Sequence, residues 1–184
     1  MPYIRRSFNH VVYVLLALFA TFAPEWAQAE SNRSLWVGPT IARYMKEELP
    51  SYGQQSLGVG LEGKYEFELT SSFGVGIDLS YRRFAEERSL FQLGYGVSLR
   101  HDVLDMGKDQ LFLSYGLLVQ NISLESVRSS ALAHDTKLAV GFSTESNLYA
   151  EFAYHISSLK YFGLTPVDMS YISLGGGYRF RWQK

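Results

Sequence analysis

The sequence contains no cysteine and only five prolines among its 184 residues. The absence of cysteine excludes disulfide bonds, thiolate catalysis and zinc sites built on cysteine. Lysine and arginine number 17 against 18 aspartates and glutamates, so there is no positive excess that would attract nucleic acid. Beyond residue 29, no run reaches the ~20 apolar residues that a transmembrane helix requires. If the remainder of the chain enters a membrane, it does so as β-strands.

Residues 1–29 have the pattern of a secretory signal peptide. Arg5 and Arg6 give a positive start, a largely apolar run follows over 11–23, and residues 27–29 (Ala-Gln-Ala) are the small side chains that a signal peptidase needs. The alternative, an uncleaved anchor, has the wrong length and flanks for a spanning helix. Cleavage after residue 29 leaves one domain, 30–184, which is long enough to bury a core.

The rest of the chain alternates between apolar and polar side chains with a period of two residues. Residues 56–67 and 73–82 alternate in this way on either side of a short turn, which predicts a β-hairpin, because successive strand side chains point to opposite faces. Six further segments show the same alternation: 34–45, 91–100, 111–120, 137–142, 148–155 and 172–182. The sequence therefore predicts eight strands.

The connections between these segments alternate in length. Those after the second, fourth and sixth strands are tight (68–72, 105–109 and 144–147). Those after the first, third, fifth and seventh are longer and more polar (46–54, 84–89, 121–133 and 157–166), and 121–133 is either a long loop or a ragged strand end. Transmembrane barrels combine short periplasmic turns with long external loops, and their strands are about 9–11 residues long. We predict an all-β fold, an eight-stranded antiparallel up-and-down transmembrane β-barrel.

Alternation would also suit a soluble barrel with an apolar interior, so the character of the polar face decides the orientation. That face is rich in glycine, which fits the crowded inside of an eight-stranded barrel, and its charges have mixed sign, which lets them pair when buried. The apolar face carries aromatic residues near the strand ends, as lipid-facing girdles do. The predicted polar network of the lumen comprises Glu62, Lys64, Asp78, Arg82, Arg100, Lys137, Glu151 and Arg179.

The pattern of 57–67 and 73–82 and the ending 174–180 (Leu-Gly-Gly-Gly-Tyr-Arg-Phe) resemble the small outer-membrane β-barrel proteins of the OmpA/OmpX type. The resemblance implies a cell outer membrane of Gram-negative type, contact with its lipid including lipopolysaccharide, and a non-catalytic body that functions through its external loops. It also implies that the barrel-assembly machinery reads an aromatic residue of the C-terminal strand. Since two polar residues follow Trp182 here, Phe180 or Trp182 would be that element.

One segment offers catalytic chemistry. His155 and Ser157 project from the same face of a strand, so the imidazole could activate the hydroxyl, with Asp168 as the orienting acid. The stretch resembles the His-x-Ser-Asn motif of outer-membrane lipid A 3-O-deacylases, with Ser158 in place of the asparagine. Strand parity places His155 on the inner face, whereas a lipid-acting site must face the bilayer, so this alternative requires a β-bulge. The other interpretation is an inner-face His155 bonded to Glu151.

Other sites have weaker support in the sequence. His101 and His134 have no second ligand at a usable spacing, so we expect no metal site and no cofactor. The many inward glycines could leave a narrow pore, although side chains usually fill the interior of an eight-stranded barrel.

Overall fold

The computed structural model of the protein describes residues 32–45, 48–49, 53–54, 57–84, 90–124, 127–159 and 167–182. The predicted signal peptide lies outside the described residues. Eight long strands form within them: β1 (Arg33–Tyr44), β2 (Gly58–Glu68), β3 (Phe73–Phe84), β4 (Leu90–Met106), β5 (Asp109–Leu124), β6 (Val127–Ser143), β7 (Leu148–Leu159) and β8 (Tyr171–Trp182). In these ranges no helix is long and apolar enough to cross a membrane.

Each of the eight strands pairs antiparallel with its neighbours in the chain, and β8 pairs with β1, so the sheet closes on itself. A closed sheet leaves no edge, and every strand has a hydrogen-bonded neighbour on both sides, which is what hydrocarbon surroundings demand. The predicted fold class, an eight-stranded antiparallel up-and-down β-barrel of the transmembrane type, is confirmed.

The strands are tilted because the pairing register shifts around the barrel. A row of laterally paired residues that starts at Arg33 returns to β1 at Arg43, ten residues further on (43 − 33 = 10). The row passes through Phe67, Val75, Leu99, Tyr115, Leu138, Tyr154 and Ile172. A shift of this size around eight strands corresponds to a tilt of roughly 35–45° from the barrel axis.

The side chains alternate between lumen and exterior as the sequence predicts. Along β3, buried and outward residues alternate over the whole strand, and Ile77 is 56% exposed while Asp78 beside it is 7% exposed. Val59 and Leu93 are likewise exposed, and Arg100 is buried. The apolar face therefore forms the outer wall, which contradicts the soluble-barrel alternative.

The tight turns fall where the alternation predicts them. Gly107 has φ of 87° in the β4–β5 turn and Asn147 has φ of 63° in the β6–β7 turn, and both residue types tolerate this left-handed region. In the β2–β3 turn, the hydroxyl of Thr70 accepts hydrogen bonds from the backbone N–H groups of Ser72 and Phe73. We refer to this end of the barrel as the turn end and to the opposite end as the loop end.

The connection over 121–133, predicted as a long loop or a ragged strand end, is mostly strand with a register shift between Ser123 and Leu124, and the long-loop alternative is wrong. β5 continues to Leu124 and β6 begins at Val127, so the two strands form a hairpin of 16 and 17 residues. The predicted start of the loop over 157–166 is also too early, because β7 continues to Leu159. Residues 85–89 and 160–166 lie outside the described residues, and the loop 46–54 contains a two-residue ribbon that pairs Glu48–Leu49 with Gly53–Gln54.

The seam between β1 and β8 is interrupted at mid-height. Val37 pairs with Tyr178 and Thr40 with Gly175, but the ladder skips the positions between them, where Pro39 has no N–H to donate. The two backbones approach so closely there that a Cβ on Gly38 would overlap the Gly176 carbonyl. Only glycine fits at such a contact.

Two apolar clusters occupy the lumen, one at each end. Trp36, Phe112 and Tyr149 pack together toward the turn end, with ring centroids 5.0–5.5 Å apart in edge-to-face contacts. The loop-end cluster comprises Ala42, Tyr44, Phe84, Leu90, Ile122, Ala133, Leu159, Met169 and Tyr171. Polar and charged side chains fill the space around and between the two clusters.

Candidate functional site

All eight residues of the predicted polar network point into the lumen, where the structure groups them with partners from other strands. Three groups can be distinguished. The turn-side ion cluster is Lys64, Glu66, Glu68, Arg100, Asp102 and Arg179. The central ion cluster is Glu62, Asp78, Arg82, Lys137 and Glu151. The histidine cluster is Gln120, Asp135, His155, Tyr171 and Ser173.

Glu66 is the centre of the turn-side ion cluster and was not part of the predicted network. Its carboxylate is fully buried and accepts hydrogen bonds from the Arg100 Nε at 3.1 and 3.2 Å. The guanidinium of Arg179 lies 3.3 Å away and the ammonium of Lys64 3.5 Å away. A buried carboxylate is tolerable when charged partners and hydrogen bonds compensate the loss of water, and here three strands supply them.

Trp36 forms one wall of the same cluster. The Arg179 guanidinium lies 4.4 Å from its ring centroid and the Lys64 ammonium 4.8 Å, both within the range of cation–π attraction. The indole N–H donates to the hydroxyl of Ser34 at 3.0 Å, so the polar atom of this buried ring is satisfied. Trp36 therefore joins the ion cluster to the aromatic packing with Phe112.

The central ion cluster lies between the two apolar clusters and borders a small cavity. Lys137 forms ion pairs with Glu151 and, at 3.8 Å, with Asp78, while Arg82 pairs with Glu62 at 3.3 Å. The cavity has a volume of about 30 Å³, which is room for roughly two water molecules. A space of this size lets water solvate the ion pairs but does not admit an organic substrate.

The histidine cluster holds one imidazole by both of its nitrogens. His155 Nδ1 lies 2.8 Å from Asp135 Oδ2, and Nε2 lies 3.2 Å from the hydroxyl of Ser173. The ring of Tyr171 stacks on the imidazole with centroids 4.1 Å apart. The Tyr171 hydroxyl donates to Asp135 at 3.2 Å and accepts from Gln120 at 2.7 Å. The sequence did not indicate Asp135 as a partner, and the expected bond from His155 to Glu151 is replaced by the bond to Asp135.

The structure does not join His155, Ser157 and Asp168 into the triad of the catalytic alternative, because the imidazole of His155 contacts Asp135 and Ser173 instead. Ser157 shares the inner face with His155 and is 2% exposed, and Asp168 accepts hydrogen bonds from the backbone and hydroxyl of Ser170 at 3.0 and 2.6 Å. β7 alternates without interruption and its pairing with β6 has no register shift. The bulge that would turn His155 toward lipid is therefore absent from this strand.

The order Asp135–His155–Ser173 is that of a hydrolytic triad. Two features of the site are unlike a hydrolase. Ser173 is buried, with 4% exposure, and it pairs laterally with Ala42 on one side and Ala153 on the other. Its neighbouring backbone amides belong to these ladders, so they are not available as donors to an oxyanion. The arrangement orients and satisfies a buried imidazole.

Metal ligation has no support in the part of the chain that the structure describes. No group of three or more His, Asp or Glu side chains there is placed to hold a metal ion. His101 lies on the outer wall instead, with its ring stacked on Phe73 at 4.3 Å.

The outer wall forms a second candidate surface, because its outward charges lie only near the two rims. Arg33 and Arg43 mark two heights on the outer wall. Between these heights, the described outward side chains of all eight strands include no charged residue. Ten residues of β1 span roughly 33 Å along the strand and, at a tilt of about 40°, roughly 25 Å along the barrel axis. This is the height of the apolar band on transmembrane barrels. Aromatic residues lie near its edges, among them Phe73, Phe180 and Trp182.

No known family model and no curated protein matches this sequence. Solved structures do resemble it. The crystal structure of Ail, the attachment invasion locus protein of Yersinia pestis, is 19% identical with a TM-score of 0.54 and covers 82% of this chain and 99% of Ail. Its complex with the heparin analogue sucrose octasulfate gives 19% identity, a TM-score of 0.52 and coverage of 82% and 99%. Neisserial surface protein A is 12% identical with a TM-score of 0.57, over 84% of this chain and 98% of that one. The chain thus has the fold of the small outer-membrane barrels, as the resemblance in the sequence predicts.

Proposed function

We propose that this protein resides in the cell outer membrane as a non-catalytic barrel that holds its loop end toward the exterior for interaction. The observation that supports the proposal is the contrast between the uncharged outer wall and the charged, filled lumen. The outer wall is an uncharged band of roughly 25 Å, which suits hydrocarbon. The lumen is filled by ion pairs and apolar side chains and leaves a cavity of about 30 Å³.

The filled lumen argues for a structural role of the barrel itself. A site that converts a substrate needs a pocket large enough to bury that substrate, and ligand pockets are typically about 300–1,000 Å³. The cavity beside the central ion cluster, at about 30 Å³, has a tenth of the smaller of these volumes. The longer connections lie at the end of the barrel where β5 and β6 extend beyond β7, so the loop end is where an external partner would bind.

The C-terminal strand is the proposed contact for the barrel-assembly machinery. Phe180 and Trp182 are both about half exposed on the outer wall at the turn end of β8. Outer-membrane lipid, including lipopolysaccharide, is the proposed surrounding medium, and the signal peptide over residues 1–29 the proposed route of export.

Expression in a Gram-negative cell tests this proposal. We expect the protein in the outer-membrane fraction, extracted by detergent, with heat-modifiable migration on gels that indicates a folded barrel. Recovery as a soluble periplasmic protein, or migration unaffected by heating, would contradict it.

Mass spectrometry of lipid A separates the scaffold from the deacylase alternative. We expect the same acyl pattern with and without the protein, and with Ser157→Ala or Ser173→Ala. Loss of a 3-linked acyl chain that either substitution abolishes would overturn the non-catalytic assignment.

A further inference from the structure

One tyrosine of the outer wall lies at the middle of the uncharged band. Tyr115 of β5 points outward and is 46% exposed. It is the central member of the row that rises from Arg33 to Arg43, four strands from each end. Because the row climbs evenly around the barrel, Tyr115 lies at half the height of the band, roughly 12 Å from either rim.

The hydroxyl of Tyr115 cannot reach either rim of the band. A tyrosine hydroxyl lies roughly 6.5 Å from its own Cα, about half of the distance that is needed. Tyr154 belongs to the same row two strands further on, roughly 6 Å below the loop-end rim, and its hydroxyl does reach that rim.

The Tyr115 hydroxyl also has no hydrogen-bond partner within the described ranges of this chain. Acyl chains offer neither donor nor acceptor, and a polar group left without a partner in hydrocarbon is unfavourable. The group that satisfies this hydroxyl therefore has to come from another protein surface at the same depth.

Four leucines surround this hydroxyl on the wall. Leu99 and Leu138 pair laterally with Tyr115 from the two neighbouring strands, and Leu113 and Leu117 lie two residues away on either side along β5. All four are about half exposed. Because lipid tails are as apolar as leucine, association within a membrane depends on close packing and on hydrogen bonds between polar groups. A phenol surrounded by leucines provides both. We call Tyr115 and these leucines the Tyr115 face.

We propose that the Tyr115 face is the contact between two copies of this chain in the membrane. Two copies inserted with the same topology hold Tyr115 at the same depth, so a two-fold axis along the membrane normal brings the two phenols together. A hydroxyl is both donor and acceptor, so one phenol donates to the other. A second copy meets the requirement of depth by symmetry, which no other membrane protein does. The inference rests on the proposed function for its placement of the outer wall in lipid.

Thr136 of β6 is the position from which this contact is best detected. It pairs laterally with Leu117, so it is one strand and two residues from Tyr115. At a tilt of about 40°, the sideways components of these two steps are roughly 3.7 and 4.2 Å in opposite directions and cancel. Thr136 therefore lies directly above Tyr115, next to the proposed axis, and a cysteine there would face the same cysteine of the second copy.

Disulfide cross-linking in outer membranes tests which side of the barrel meets the second copy. The chain has no cysteine, so a single introduced thiol reports alone. The variants are Thr136→Cys and, as a matched control, Leu61→Cys, which is exposed at nearly the same height on β2, on the opposite side of the barrel. With a lipid-soluble oxidant, we expect a product of twice the monomer mass from Thr136→Cys and several-fold less from Leu61→Cys. Heat-modifiable migration checks that each variant is folded.

Removal of the hydroxyl alone tests the role of Tyr115. Copies labelled with dyes at Lys108→Cys, which is exposed beside the β4–β5 turn, report dimers by energy transfer in vesicles over a series of protein-to-lipid ratios. We expect Tyr115→Phe to weaken dimerisation roughly threefold to fifteenfold, which corresponds to about 0.6–1.7 kcal/mol for a hydrogen bond in a membrane. Tyr154→Phe is the matched control and should leave the dimer unchanged, because that hydroxyl reaches the rim.

Three results would overturn the contact. The first is equal cross-linking of Thr136→Cys and Leu61→Cys, which would show random collision. The second is a cross-linked product whose mass is not that of two copies, which would assign the face to a different protein. The third is an equal effect of Tyr115→Phe and Tyr154→Phe on energy transfer. If the barrel inserts but forms no dimer at any protein-to-lipid ratio, this inference fails alone, whereas a failure to insert contradicts the proposed function.

Discussion

Glu66 is the side chain on which the turn-side ion cluster depends. Removing its charge leaves Arg100, Arg179 and Lys64 close together without the carboxylate that they share. We expect Glu66→Gln to lower the free energy of unfolding by about 3–5 kcal/mol, because breaking a buried ion pair leaves an uncompensated buried charge. Urea unfolding of the bilayer-inserted protein, followed by circular dichroism, measures the change.

Glu145 provides the matched control for that substitution. It pairs with Lys108 beside the β4–β5 turn, and both side chains are exposed. Exposed ion pairs contribute about 0–1 kcal/mol, so Glu145→Gln should change little. Equal losses for the two variants would show that the compensation around Glu66 contributes no more than a surface pair.

The close approach of β1 and β8 makes the glycines of the seam sensitive to substitution. A Cβ on Gly177 would overlap the Val37 carbonyl oxygen, and backbone atoms cannot move aside as a flexible side chain can. We expect Gly177→Ala to cost about 1–3 kcal/mol or more and to slow folding into vesicles. Gel migration and urea unfolding check both effects.

Gly63 on β2 is the control for that prediction. A Cβ there would be 3.6 Å from the nearest backbone oxygen, an ordinary contact. Gly63→Ala should therefore be neutral or stabilise by up to about 1 kcal/mol, since it restricts the unfolded chain. If the two alanines had the same effect, the approach at the seam would not be the reason for glycine there.

The β5–β6 hairpin marks the limit of what the binary pattern predicts about elements. Where a strand crosses lipid, one of its faces must be apolar. The resulting alternation of apolar and polar residues is what predicts the eight strands. Beyond the lipid both faces of a hairpin meet water or other loops, so alternation fades, although the backbone continues to pair up to Leu124 and Val127. The pattern therefore predicted a loop where strand continues.

The partners of the site were less predictable than its members. Strand parity places Glu62 or Arg179 in the lumen from local sequence alone. It does not say which side chains meet there, because that depends on the register of the whole barrel: Arg179 contacts Glu66, which is 113 residues away in the chain. Asp135 was missed for a related reason, since it precedes the segment of β6 whose alternation is clear.

The barrel as a whole should not conduct ions. The Trp36, Phe112 and Tyr149 cluster obstructs the lumen toward the turn end, the larger apolar cluster obstructs it toward the loop end, and the cavity between them holds roughly two waters. We expect recordings of the reconstituted protein in planar bilayers to match those of the protein-free bilayer. Discrete conductance steps would contradict this prediction and support the pore alternative.

The two strands that meet at the interrupted seam each carry a tryptophan, so tryptophan fluorescence can be used to follow how the barrel forms. The sequence has three tryptophans, and one of them, Trp26, lies in the predicted signal peptide. The other two are on the strands that close the cylinder: Trp36 pairs with Arg179, and Trp182 pairs with Arg33. Tryptophan emission from residues 30–184 therefore comes from the first and last strands of the barrel. During insertion, the signal from Trp36 should change when its ring packs in the lumen against Phe112, Tyr149 and Arg179, so its kinetics report the step that brings β5, β7 and β8 around β1.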